Sequence, residues 1–176
     1  LTPAQATLGE IQRVLQGLLS ERVAIRDLAR IFEAMSSTIR TGNHSTEAMV
    51  ESAREVLGSA ITTSAAMDGV LHVITLDPAF EQSLLAAARP SQEGQMLALD
   101  ASVLVRMSEQ VGRLVNQAEE AGLTPVLICA SQLRAALYRQ LRHEFPRLPV
   151  LSYGELGGSV DIQSVGTVGN EPAHVA

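Results

Sequence analysis

The sequence predicts an N-terminal helical bundle-like subdomain, residues 1–66, followed by a small mixed, mostly parallel α/β sandwich, residues 67–168, and a flexible tail, residues 169–176; the whole is α+β, with an α/β second half. Three observations predict it. Apolar residues recur at three- and four-residue spacings as far as Ile61, the period changes after Asp68-Gly69, and from there apolar runs of strand length alternate with helical patterns. A length of 176 residues allows one domain or two small ones, and the change of period decides for two. With 46% apolar and 18% charged residues the chain can bury a core and is not charged enough to be disordered. That core is aliphatic, because there is no Trp and aromatic residues make up 3%.

Thr7 and Glu10 have capping-box spacing and open a first helix, whose Leu8, Ile11, Leu15, Leu18 and Leu19 form one apolar stripe. A second helix runs from Ile25, with Leu28, Ile31, Phe32 and Met35 as its buried seam and Arg26, Asp27, Arg30 and Glu33 on its flanks and outer face. Thr41 to His44 is a turn. Ser45 or Thr46 then caps a third helix with Met49, Val50, Ala53, Val56, Leu57, Ala60 and Ile61 on one face.

Val70 to Leu76 is the first predicted strand, and Asp77-Pro78 opens a helix that the pattern carries to Arg89-Pro90. After a polar loop, Ser91 to Gly94, and a short apolar segment, Met96 to Leu99, Asp100 caps a long helix ended by Gly122. Pro125 to Cys129 reads as a central strand buried on both faces, the next helix runs from about Ser131 to Phe145, and Pro149 to Ser152 is another buried strand. Gly154, Gly157 and Gly158 loosen the chain before an edge strand, Val160 to Val165; Asn170 to Ala176 is the expected tail.

Composition excludes several chemistries. All 13 basic residues are Arg, so the lysine-dependent phosphate loop, the kinase lysine and Schiff-base catalysis are ruled out. A net charge of -6 opposes nucleic-acid binding. One cysteine permits no intrachain disulfide and no multi-thiolate zinc site, as expected of a reducing compartment, and no apolar run approaches the roughly 18 residues of a membrane span. The opening Leu1-Thr2-Pro3 is neither an initiator Met nor a signal peptide and reads as a piece of a longer protein.

Cys129, at a strand end before a helix, has the position of an activated thiol, but the segment Cys129-Ala130-Ser131-Gln132-Leu133-Arg134 lacks a glycine-rich anion loop, and a small buried hydrophobe is the simpler reading. Asp77 and Asp100 follow predicted strands, where ligand-binding carboxylates project in α/β folds, and equally where helix caps sit. His44, His72, His143 and His174 have no metal-ligand spacing, and no cofactor motif is present. From the residues alone three classes stay open: a non-enzymatic interaction module, a regulatory module binding a small ligand near Asp77, Asp100 and Cys129, and, least favoured, a thiol-dependent enzyme using Cys129.

Several segments, in order and spacing, resemble the C-terminal cytoplasmic end of the bacterial type III export-gate protein, the FlhA family. They are Leu8-Gly9-Glu10-Ile11-Gln12-Arg13-Val14-Leu15-Gln16, Leu18 to Leu28, Ile31-Phe32-Glu33-Ala34, Val73-Ile74-Thr75-Leu76-Asp77-Pro78, Pro125-Val126-Leu127-Ile128 with Leu133-Arg134, Phe145 to Tyr153 with Glu155, and Ser164 to Val168. Two positions depart from the family pattern: Ala130-Ser131 replaces Ser-Pro, and Gly157-Gly158 stands where proline is expected.

The resemblance implies the third and fourth subdomains of a cytoplasmic ring, commonly nonameric, attached to the membrane through an N-terminal part outside this sequence. It implies self-association through the helical subdomain, contact of the α/β subdomain with the export ATPase complex, and chaperone–cargo docking through the full cytoplasmic region, flagellar export being favoured over an injectisome. It implies no enzyme activity, no cofactor and no nucleic-acid partner. Arg26, Asp27, Arg30 and Glu33 are the candidate subunit-contact residues, a dense mixed-charge surface on the second helix; an ordinary solvated helix face is the competing account.

Overall fold

The computed structural model describes residues 6–169, so the tail expected from Asn170 to Ala176 lies outside the described residues. Those residues form two compact units. The first contains the described residues up to Ser64 together with Gly154–Gly158; the second contains Ala65–Tyr153 and the described residues from Ser159 on.

The first unit is helical. α1 (Leu8–Ser20) starts on a complete capping box, in which Thr7 N–H donates to Glu10 Oε2 at 2.7 Å and Glu10 N–H to Thr7 Oγ1 at 3.2 Å. It ends in a Schellman turn: Val23 N–H returns to Leu18 O at 3.0 Å and Arg22 N–H to Leu19 O at 2.9 Å, with Arg22 at φ 60° where glycine is the usual occupant. α2 (Leu28–Arg40) and α3 (Thr46–Val56) follow, each opened by a side-chain cap, Asp27 and Ser45 respectively. Val14, Leu18, Ile31, Met35, Met49 and Ala53, all nearly inaccessible, form their shared core.

Two sequence expectations shift here. The α1 stripe is narrower than the pattern predicts, with Leu8 82% and Leu19 52% exposed and Val14 taking the central place. The third helix is two helices. The chain breaks at Leu57 and restarts as α4 (Gly58–Ala65), and its first residue is a glycine where the returning segment leaves no room for a side chain: a Cβ on Gly58 would lie 2.5 Å from Glu155 O.

The second unit is a four-stranded, all-parallel sheet of order β5-β4-β1-β6, made of β1 (Val70–Leu76), β4 (Pro125–Cys129), β5 (Val150–Ser152) and β6 (Asp161–Val168), with a separate antiparallel hairpin, β2 (Ala88–Ser91) and β3 (Gly94–Leu97). The mostly parallel α/β reading therefore holds. Asp68 and Gly69 both have positive φ and close a tight turn into β1 between Met67 and Val70, which exchange hydrogen bonds at 2.8 and 2.9 Å. β4 is buried along its whole length, as its unbroken apolar run requires. α5 (Pro78–Ala87), α6 (Ala101–Glu120) and α7 (Ser131–Leu141) close the core with Phe80, Leu84, Met107, Val111, Leu133 and Leu137.

Boundary corrections have local causes. α5 ends at Ala87 rather than Arg89-Pro90, since a residue before proline is pushed out of the helical region and the chain turns into β2 instead. α7 ends at Leu141, four residues before the expected Phe145, which precedes Pro146 under the same restriction. The short segment expected at Met96–Leu99 is β3, shifted earlier to pair with β2. The edge strand reaches Val168, not Val165, because it pairs with β1 to its last residue, Leu76, and Val165 is the extra residue of a bulge between Ser164 and Gly166.

Candidate functional site

The mixed-charge stretch of the first unit is exposed throughout. Ile31, Ala34 and Met35 bury one face of α2, leaving Arg30 and Glu33 in solvent. Arg26 and Asp27 are not on the helix as the sequence predicts. Arg26 belongs to the extended link after α1, and Asp27 is the cap, its Oδ1 accepting from Arg30 N–H at 3.2 Å. A carboxylate that closes a helix start is less available for an intermolecular pair, so capping is the first duty of Asp27. Leu28, expected in the seam, is 42% exposed because the first helical residue projects beyond it. The surface is therefore Arg26, Arg30 and Glu33 around an exposed leucine.

The helical unit also holds a buried cluster that sequence spacing does not reveal. Arg54, on α3, is buried with Nε 2.6 Å from Glu155 Oε1 and Nη1 3.1 Å from Glu21 Oε2. Thr62 Oγ1 donates to Glu155 O at 2.9 Å. One guanidinium thus ties the C-terminal cap residue of α1 to the segment that returns from residue 154. Its only sequence trace is an Arg at a core-facing register of α3.

The strand ends of the second unit are already occupied by protein groups. Asp77 Oδ2 accepts from Phe80 N–H at 3.1 Å and caps α5. At the start of α7 the cap position is Ala130, which offers no side-chain acceptor; buried Glu81 reaches across from α5, and its Oε1 accepts from Ala130 N–H at 2.5 Å. A carboxylate thereby stands at the start of α7, next to the place where a ligand phosphate binds in other α/β proteins. Tyr153 Oη lies 3.5 Å from Glu81 Oε2, and its pKa is raised by burial first and then by the neighbouring Glu81 carboxylate. Cys129 is wholly inaccessible, with Sγ 3.9 Å from Leu151 O, a poor position for a nucleophile. Asp100 starts α6 without a side-chain cap bond. Asp77 is thus engaged as a helix cap, Asp100 makes no cap bond, and Cys129 is closed to solvent.

His44 Nδ1 is 3.5 Å from Glu10 Oε1 at the surface, and His72 is buried in β1, while His174 lies outside the described residues. Glu10 has its pKa lowered chiefly by the Thr7 backbone N–H, then by the Thr7 hydroxyl, with His44 a smaller contributor. No group of three or more His, Cys, Asp or Glu side chains among the described residues could hold a metal ion, and no helix among them is long and apolar enough to cross a membrane.

The FHIPEP family model matches residues 1–161. The flagellar biosynthesis protein FlhA of Bacillus subtilis is 32% identical over 169 residues, which cover 96% of this chain and 25% of that protein. Among solved structures, the nonameric EPEC SctV-C aligns with a TM-score of 0.78 at 26% identity, covering 94% of this chain and 49% of that one. A chain of the Chlamydia pneumoniae CdsV and CdsO protein complex aligns at 0.74 and 25%, covering 94% of this chain and 48% of that one. The chain thus spans about a quarter of the length of curated relatives it matches.

Proposed function

The chain belongs to the FHIPEP family, and on that premise we propose that it is a structural docking component of the type III protein export apparatus, part of the cytoplasmic ring of the export gate. The carrying observation is the match of residues 1–161 to the family model, which takes in both units. The B. subtilis FlhA match favours flagellar export. The chain acts without catalysis: the Asp77 carboxylate caps α5, Glu81 is engaged by Ala130 N–H, and the thiol is buried.

Self-association is the principal contact, as the nonameric assembly of the related SctV-C suggests, and Arg26, Arg30 and Glu33 around Leu28 are the surface offered for it. Apolar anchors ringed by arginine are the usual composition of protein contacts. The ATPase complex and chaperone–cargo complexes are the further partners, met through the full cytoplasmic region on the cytoplasmic face of the membrane. The test is to place Arg26→Glu and Arg30→Glu in the complete cytoplasmic region and in the full-length protein. Reduced ring formation by analytical ultracentrifugation together with reduced motility is expected; unchanged sedimentation and motility would overturn the contact assignment.

A further inference from the structure

A groove lies along α6 where the chain leaving α7 folds back against it. Phe145 marks its middle: the ring is seated over Gly112, where a Cβ would meet ring carbon Cζ at 3.4 Å. On one side of the ring is a hollow of about 360 Å³ whose apolar lining includes Val115, Leu123, Pro146 and Leu148. On the other is a wider, more open hollow against Ser108, Gly112 and Arg113. Asn116, Glu144 and Phe145 line both, so the two are one continuous surface.

Its rim is acidic. Glu109, Glu119, Glu120 and Glu144 stand along it against Arg113 and Arg147. The Glu119–Arg147 pair, 3.6 Å apart with side chains 47% and 78% exposed, is a solvated contact that an incoming cation can replace with little loss. Glu144 Oε2 is held in place by a hydrogen bond from Ser108 Oγ.

We propose that this groove docks a basic amphipathic segment of a partner protein, its apolar side chains entering the hollow beside Phe145 and its cations meeting the four carboxylates. The inference rests on the docking reading above and adds a second surface to it. The sign of the rim selects the occupant: carboxylates repel nucleic-acid phosphates and anionic lipid headgroups alike, and attract a Lys- or Arg-bearing helix or strand. The open side suits a long occupant over an enclosed small molecule.

The probes are two fluorescein-labelled helical peptides with leucines at i, i+3, i+4 and i+7, one carrying Lys and the other Glu at the remaining positions. The whole 176-residue chain is titrated with each. The Lys peptide is expected to bind with an affinity that falls as salt is added, and the Glu peptide not to bind. Amide shifts in the labelled chain are expected to concentrate at residues 108–120 and 144–148. Asn116→Arg, at an exposed position common to both hollows, is expected to weaken binding by about tenfold or more, and the exposed Glu120→Arg to weaken it less. Absence of binding, equal binding of both peptides, shifts centred elsewhere, or an Asn116→Arg chain that binds like the parent would each overturn the proposal. Export by the full-length protein is scored alongside: export without peptide binding removes the groove alone, and peptide binding without export removes the docking reading and leaves the groove.

Discussion

Arg54 and Glu155 stand 101 positions apart in the chain and meet at 2.6 Å in the interior of the helical unit, with side chains only 3% and 2% exposed. The same guanidinium reaches Glu21, so three helical segments share one cation. Such a cluster stabilises little over an apolar replacement of matching shape, but removing one member strands the others without solvent.

Arg54→Met is therefore expected to cost about 3–5 kcal/mol, the penalty of an uncompensated buried carboxylate. Arg54→Lys is expected to recover only part of this, because a single ammonium cannot present separate Nε–H and Nη–H donors to two carboxylates. Urea denaturation of the two variants against the parent checks both, and a Lys variant as stable as the parent would contradict the geometry.

Gly58→Ala is expected to destabilise by about 1–3 kcal/mol, the usual cost of overpacking a filled interior. The new methyl would meet backbone at Glu155 rather than a side chain able to turn aside. Thermal melts followed by circular dichroism measure the loss.

Arg22→Gly is expected to stabilise by about 0.5–1 kcal/mol. A non-glycine residue in the left-handed conformation carries a steric cost of roughly 1–2 kcal/mol, only part of which is returned by the looser unfolded chain of a glycine variant. Arg22 is exposed, so no packing is lost. A fall in the urea midpoint would show that the Arg22 side chain contributes something its geometry does not reveal.

Glu10 gives a pH dependence of definite sign. Its pKa is lowered in the folded chain, so the stabilisation is present above the ordinary carboxylate range and is lost as pH falls through that range and below it. Thr7→Ala removes the hydroxyl bond and leaves the backbone one; the Glu10 carboxyl titration, followed by NMR, is expected to move up part of the way toward its unperturbed value. A titration indistinguishable from the parent would place the whole shift on the backbone N–H.

Where structure is set by neighbouring residues, the sequence was legible. The Thr7/Glu10 capping box, β1 from Val70 to Leu76 and β4 from Pro125 to Cys129 follow from local pattern alone, and the structure has them at those positions. Where a distant backbone intervenes, it was not. The need for glycine at residue 58 depends on Glu155, the Ala130 N–H at the start of α7 is met by Glu81 from α5, and the Phe145 groove depends on the fold-back that follows α7. The candidate contact residues were half legible: charge marked Arg26, Asp27, Arg30 and Glu33, but the exact helix start, and with it the capping duty of Asp27 and the exposure of Leu28, is a matter of one turn.

The return of Gly154–Gly158 to the helical unit also has a consequence for the order of synthesis. At about 5–20 residues per second, a ribosome that has finished α4 takes on the order of 5–20 s to deliver the segment that pairs with Arg54. During that interval α1 to α3 can associate and Arg54 can meet Glu21, but the Arg54 Nε–H that pairs with Glu155 must keep its water. β6, the outer strand of the sheet, emerges later still. The helical unit therefore completes its packing only once residues 154–158 are made, and the second unit only near residue 168, so a ribosome stalled anywhere between residues 65 and 153 holds a helical unit with an open seam, a natural substrate for chaperones and proteases.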